Sequence, residues 1–212
     1  MSKKIVTSRP QDIIDITSII PNISVELTYA TPNNFTGQII PGYKKPIAYL
    51  TSEAINSLKV IQEILNRKSL SLHIFDAYRP NKSVQYFCNN WANSPENVEL
   101  KKVFYPNKTK EQIIQEGFIA TESSHSYGST IDLSIIDLNT NILIDMGGQF
   151  DLFDEVSFTN CNMISDLQKK NRVLLKSLME LNGFVNYQKE WWHYRFINGP
   201  YYQKLIFDFD IV

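Results

Sequence analysis

The chain has 212 residues, of which 43% are hydrophobic and 20% charged, and its formal net charge is -1. These values describe a globular protein with one sizeable core and exclude an intrinsically disordered chain. Nucleic acid is not the expected partner, because phosphate binding leaves a basic footprint and no basic run with interleaved aromatics occurs here.

The first twenty residues, MSKKIVTSRPQDIIDITSII, begin with Lys3 and Lys4, but Thr7, Ser8, Arg9, Asp12 and Asp15 interrupt any apolar h-region. No window has the length of apolar residues needed to span a bilayer, so no membrane partner is expected. A cytoplasmic location follows, or a periplasmic one if a leader has been removed. Residues Ile23–Thr28 alternate apolar and polar and predict a strand. A long irregular segment follows, YATPNNFTGQIIPGYKKP, of a kind that often forms part of a binding site. Thr51 is placed to cap a helix reaching about Asn66, with Ile55, Leu58, Ile61, Ile64 and Leu65 on its apolar face. Leu70–Phe75 reads as a strand ending at Asp76. Asn81 or Ser83 starts the next helix, in which Val84, Phe87, Cys88 and Trp91 fall at helical spacing.

A further helix near Thr109–Glu116 stops at Gly117. Ile131–Ile136 is a second well-patterned strand. The last long helix covers about Ile164–Asn182, with Leu167, Leu174, Leu178 and Leu181 inward, and hairpin-connected strands at Phe184–Tyr187 and Trp191–Ile197 complete the core. With no repeat or linker, residues 1–212 read as one α+β domain, a mainly antiparallel sheet flanked by helices. The two cysteines, Cys88 and Cys161, lie far apart in no C-x-x-C pattern and read as buried free thiols.

The chemistry concentrates around two of the three histidines. In Ser123-Ser124-His125-Ser126-Tyr127-Gly128-Ser129-Thr130-Ile131-Asp132, a polar turn carries His125, Gly128 permits a sharp bend, and Asp132 lies on a strand face opposite Ile131, Leu133 and Ile135. In Glu190-Trp191-Trp192-His193-Tyr194, the i, i+3 spacing brings carboxylate and imidazole together only if Glu190 sits at a bend. Taken singly, each of these residues has an ordinary reading as a surface carboxylate or a satisfied histidine. Together, His125, Asp132 and His193 supply the three protein ligands typical of a catalytic zinc, leaving Glu190 free as a general base. His73 matches no such cluster and reads as structural.

The pattern S-x-H-x-x-G-x-x-x-D, followed far downstream by E-x-x-H, resembles the zinc D-alanyl-D-alanine dipeptidases of the vancomycin-resistance type, which share a fold with the zinc D,D-carboxypeptidases and the hedgehog signalling domain. Further blocks in the same order are Tyr29-Ala30-Thr31 with Asn34-Phe35-Thr36-Gly37, Asp76-Ala77-Tyr78-Arg79-Pro80, and Asp145-Met146-Gly147-Gly148 with Phe150-Asp151. The resemblance implies one zinc per chain on His125, Asp132 and His193, with Glu190 as catalytic base acting on a metal-activated water. It further implies that Arg79 stabilises the tetrahedral intermediate, that Asp151 and nearby Tyr29 receive the dipeptide's ammonium group, and that Ser123 contacts substrate. For Arg79 an ion pair with Asp76, and for Ser123 a turn hydroxyl bonded to its own backbone, are the structural alternatives. Thr130 and Gly148 depart from the residues usual at those positions, alanine and threonine. The implied activity is hydrolysis of a small D,D-dipeptide. The rivals are a D,D-carboxypeptidase acting on longer peptidoglycan peptides and a non-catalytic zinc-binding module.

Overall fold

In the computed structural model of the protein, which describes residues 3–212, the strands β1 (Lys4–Val6), β2 (Ile13–Asp15), β3 (Ser24–Val25) and β4 (Tyr49–Thr51) precede the first helix, α1 (Ser52–Asn66). Next come β5 (Leu70–Asp76), α2 (Asn81–Tyr86), α3 (Val98–Phe104), α4 (Lys110–Gln115) and β6 (Thr130–Asp137). The chain continues through β7 (Ile142–Leu143), α5 (Asp166–Leu181), β8 (Phe184–Asn186), β9 (His193–Phe196) and β10 (Leu205–Phe207). The architecture is a single domain of mixed helix and sheet. None of the described helices is long and apolar enough to cross a membrane.

The main sheet has the order β3-β5-β6-β9-β8, with β7 also paired to β6. β3 runs parallel to β5; β5 with β6, β6 with β9, β8 with β9 and β6 with β7 are antiparallel. Because side chains alternate across a strand, the cross-strand pairs Leu72–Ile135, Ile74–Leu133 and Ile131–Tyr194 present one apolar, fully buried face. Burying each such side chain contributes about 1.5–3 kcal/mol, before the entropy of ordering it is set against the gain. The opposite face carries Asp132 paired with His193, and His73 paired with Ser134.

One irregularity serves the site directly. The β5–β6 register shifts between Ile74 and Asp76, so that Ile74 faces Leu133 and Asp76 faces Asp132. The extra residue, Phe75, forms a bulge and stacks on Phe150 with ring centroids 4.7 Å apart. A bulge re-aims the following side chain, here bringing Asp76 across from Asp132.

Several sequence expectations need correction. The strand expected over Ile23–Thr28 is only Ser24–Val25, because a single-turn 3-10 helix over Thr28–Ala30 carries Tyr29 into the interior. In α1, Ile64 is partly exposed while Ile55, Leu58, Ile61 and Leu65 are buried, and Thr51 caps by position without a side-chain bond. In α5, Leu167 is 67% and Leu181 83% exposed, whereas Arg172, Leu175 and Met179 are buried. Leu174 and Leu178 are half-buried against the core as expected, so the contact face is centred on Leu175 and Met179 and excludes the two terminal leucines, and buried Arg172 satisfies itself on the carbonyls of Met146 and Phe158. α3 was not anticipated; Asn97 caps it through the amides of Glu99 and Leu100, and none of its residues is fully buried. Cys161 is a buried free thiol as expected, but Cys88 is only half-buried.

Candidate metal centre and active site

The turn that carries His125 is built from its own short-range bonds. Ser123 Oγ accepts from the His125 amide at 3.3 Å, a single 3-10 turn spans Ser124–Tyr127, and Gly128 closes it at φ 76°. That left-handed conformation is one a glycine adopts without the clash a Cβ would bring. β6 then starts at Thr130 and delivers Asp132 one pair away, directly opposite His193 of β9. Trp191 and Trp192 lie in a turn before β9, with the His193 amide bonded to Glu190 O at 3.2 Å. This is the bend that the Glu190–His193 spacing required. It leaves Glu190 Oε2 3.5 Å from His193 Nδ1.

Three side chains converge. His125 Nε2 lies 3.2 Å from His193 Nδ1 and 3.2 Å from Asp132 Oδ2, while His193 Nδ1 lies 3.0 Å from Asp132 Oδ1. His125 Nδ1 is 2.6 Å from the carbonyl oxygen of Ala77. A carbonyl only accepts, so Nδ1 carries the proton and Nε2 turns a lone pair toward the cluster. The far nitrogen of His193, Nε2, sits 3.4 Å from Ser124 Oγ. Asp132 Oδ1 is buried with no hydrogen-bond partner, a costly state for a carboxylate oxygen unless a cation compensates it. A tetrahedral ion with bonds of about 2.0–2.1 Å sets its ligands about 3.3 Å apart, close to the edges of this triangle. The residues therefore fit a divalent cation, and these same three are the group among the described residues able to hold one.

Electrostatics supports the protonation states a metal needs. Burial lowers the His193 imidazole to about 4, against the opposing influence of the Asp132 carboxylate. Burial acts to raise the Asp132 carboxyl, but the adjoining His125 and His193 imidazoles outweigh it and hold the group below the usual range. Burial, reinforced by Asp132 and Asp151, pushes the Glu190 carboxyl well above the ordinary carboxylate range, against the pull of Arg79 and Lys189.

Arg79 is wedged between carboxylates and rings. Its Nε donates to Asp76 Oδ2 at 2.8 Å and its Nη2 to Asp132 Oδ2 at 3.3 Å, and its guanidinium lies 4.9 Å from the Tyr29 ring centre and 5.6 Å from that of Phe87. The Asp76 ion pair thus exists, and it orients the guanidinium toward the cluster. Tyr43, which the sequence did not single out, donates to the other Asp76 oxygen at 2.7 Å. Asp151 adopts φ 61°, unusual for a residue with a side chain, and accepts from Tyr29 Oη at 2.9 and 3.1 Å. Ser123, Asp132, Asp151, Glu190 and both cluster histidines line one cavity of about 280 Å³ with Tyr29 and Arg79. That volume lies at the low end of small-molecule sites, which run from about 300 Å³ upward. Tyr187, whose ring centre is 5.7 Å from that of His193, and Ser124 are further lining residues that sequence patterns gave no reason to choose. His73 stands apart, its Nδ1 2.8 Å from Ser24 Oγ, and does not enter the cluster.

An N₂O donor set with a carboxylate beside it and a guanidinium facing the same space is an arrangement suited to metal-assisted hydrolysis. The family model described as Peptidase_M15, D-ala-D-ala dipeptidase, matches residues 9–211, and the chain belongs to that family of metallopeptidases. It is 39% identical over 193 residues to a D-alanyl-D-alanine dipeptidase of Enterococcus faecium, covering 91% of this chain and 95% of the relative. Proteins with the same name from Streptomyces coelicolor and Escherichia coli are 33% and 31% identical, over 94% and 92% of this chain and 98% and 89% of theirs.

Proposed function

We propose that this protein is a zinc-dependent D,D-dipeptidase that hydrolyses D-alanyl-D-alanine. The observation that carries it is the triangle of lone-pair donors around a hydrogen-bond-free Asp132 oxygen, with a second carboxylate, Glu190, 3.5 Å from one corner. His125, Asp132 and His193 are the proposed ligands of one zinc ion per chain. Bound there, zinc supplies a Lewis acid that polarises the scissile carbonyl and makes water more acidic.

Glu190 is the general base: it takes a proton from the attacking water and returns it to the leaving amine. Its raised proton affinity in the buried setting favours that first transfer. Arg79, fixed by Asp76, faces the negative charge that grows on the carbonyl oxygen. Asp151, with the Tyr29 hydroxyl, receives the substrate's ammonium group, and Ser123, which lines the same cavity, contacts substrate. A longer peptide has an uncharged amide where the dipeptide has that ammonium, which leaves a buried carboxylate without its counter-charge. The domain as a whole is proposed to be one zinc peptidase unit of the hedgehog and D,D-peptidase kind, a reading supported by the antiparallel pairing of β5, β6, β9 and β8.

The deciding experiment is a panel of dipeptides assayed before chelation, after chelation and after zinc is restored, alongside an N-acylated tripeptide ending in D-Ala-D-Ala. Zinc-restorable cleavage of D-Ala-D-Ala, with little action on the acylated tripeptide, is expected. Preference for the acylated substrate would make the protein a carboxypeptidase instead.

A further inference from the structure

A dipeptide carries two charges, and the proposed site accounts for one of them. The cavity is lined by four carboxylates, Glu122, Asp132, Asp151 and Glu190, but by only two residues with a permanent positive charge, Arg79 and Arg195. Arg79 is committed to Asp76 and Asp132. Arg195 is different. No carboxylate of the described residues pairs with it, and its Nε is buried without an acceptor.

Its position follows from strand geometry. In β9 the residues His193 and Arg195 are half-buried and line the cavity, while Tyr194 and Phe196 alternate with them into the core. Across the β6–β9 pair, Asp132 faces His193 and Thr130 faces Arg195. Thr130 and Arg195 therefore share the metal-ligand face, one step of two residues, about 6.8 Å, from the donor triangle. Thr130 is fully buried and its Oγ1 also has no partner. A guanidinium nitrogen and a hydroxyl, both buried and unpaired, are thus carried by directly paired residues, Arg195 at the cavity wall and Thr130 behind it. A dipeptide's carboxylate lies one residue, about 3.8 Å between Cα atoms, beyond the scissile bond, on the scale that a long arginine side chain rooted one step away can serve.

We propose that Arg195, assisted by the Thr130 hydroxyl, receives the free C-terminal carboxylate of the dipeptide, so that the substrate is measured between Asp151 and Arg195. The proposal rests on the dipeptidase reading above, but it makes its own demand: the substrate must end in a carboxylate one residue past the bond that breaks. Guanidinium offers that group a charge-assisted, two-pronged contact which an amide or ester terminus does not engage.

The test pairs two ligands, D-Ala-D-Ala and its C-terminal amide, with zinc-loaded protein. Binding is read by calorimetry in the Glu190→Gln background, and kcat and KM are read in the wild-type background. The unaltered Arg195 proteins are expected to favour the acid over the amide by roughly 10- to 100-fold, the range for a hydrogen bond to a charged group. Arg195→Gln should abolish that preference, raising KM for the acid far more than it changes kcat, and Arg195→Lys should restore part of it. Circular dichroism and thermal melting of each variant separate a folding defect from loss of the contact, and Thr130→Ala provides a milder second probe of the same subsite. Equal binding of acid and amide before Arg195 is altered, or equal losses for both ligands in Arg195→Gln, would overturn the assignment. If the wild-type protein cleaves no dipeptide at all, the dipeptidase reading itself fails, and the calorimetric comparison still decides whether Arg195 selects a carboxylate.

Discussion

Glu190 illustrates how a side chain acquires a role from its surroundings. It is a carboxylate in a buried setting, within 3.5 Å of His193 Nδ1, and two neighbouring carboxylates raise its affinity for protons. Glu190→Gln preserves shape and hydrogen bonding while removing the basic oxygen. Zinc stoichiometry measured by atomic absorption should stay at one per chain, while kcat for D-Ala-D-Ala falls by about 10²–10⁴ with KM little changed. Near-normal turnover in that variant would move the base elsewhere. The ligands are a contrasting case at the same scale. His125 is held through its Nδ1 proton on Ala77 O, so its orientation depends on a backbone atom 48 residues away that no sequence pattern marks. Asp76 likewise does its work through partners: Arg79 on one oxygen and Tyr43 on the other.

At the scale of elements, the strands are where local sequence speaks most clearly, and the helices show where it misleads. The alternation in β6 is strict enough to separate Ile131, Leu133 and Ile135 from Asp132 and Ser134, and it does so in the structure. α5 offers several leucines at overlapping helical spacings, so its sequence admits more than one apolar stripe. Docking selects the stripe through Leu175 and Met179 and leaves Leu181 in solvent. Leu175→Ala should therefore cost about 2–5 kcal/mol by urea denaturation, as for other buried leucines, whereas Leu181→Ala should stay within about 0.5 kcal/mol. Equal effects would restore the stripe expected from the sequence. The short strands β1, β2, β4 and β10 have only three residues each and pair with segments far along the chain, which leaves no period to detect. The Phe75 bulge was equally illegible, because it is a relation between β5 and β6 and not a property of either.

Across the whole molecule, the cluster ties the turn at His125 and the strand β6 that directly follows it to strand β9, whose His193 is 68 residues beyond His125. A metal bound only by the folded protein stabilises it in proportion to RT ln(1 + [L]/Kd), about 4 kcal/mol when the free ion is a thousandfold above its dissociation constant. Chelation should accordingly abolish hydrolysis and lower the melting temperature by several degrees, and added zinc should restore both. A melting temperature indifferent to zinc would show that these three residues do not hold it.

The identities of the chemical groups were legible in the linear order of residues. The spacing from His125 to Asp132, the Glu190–His193 pair and the block around Arg79 already name a donor set, a base and a guanidinium, because metal chemistry demands particular atoms and tight turns demand glycine. What folding alone supplied is their mutual placement: lone pairs about 3 Å apart, Asp151 turned inward at a left-handed φ, and Arg195 unpaired on the same strand face as His193. Distances and unmet hydrogen bonds arise from packing between segments brought together from across the chain, and they come into being only when the sheet closes around the cavity.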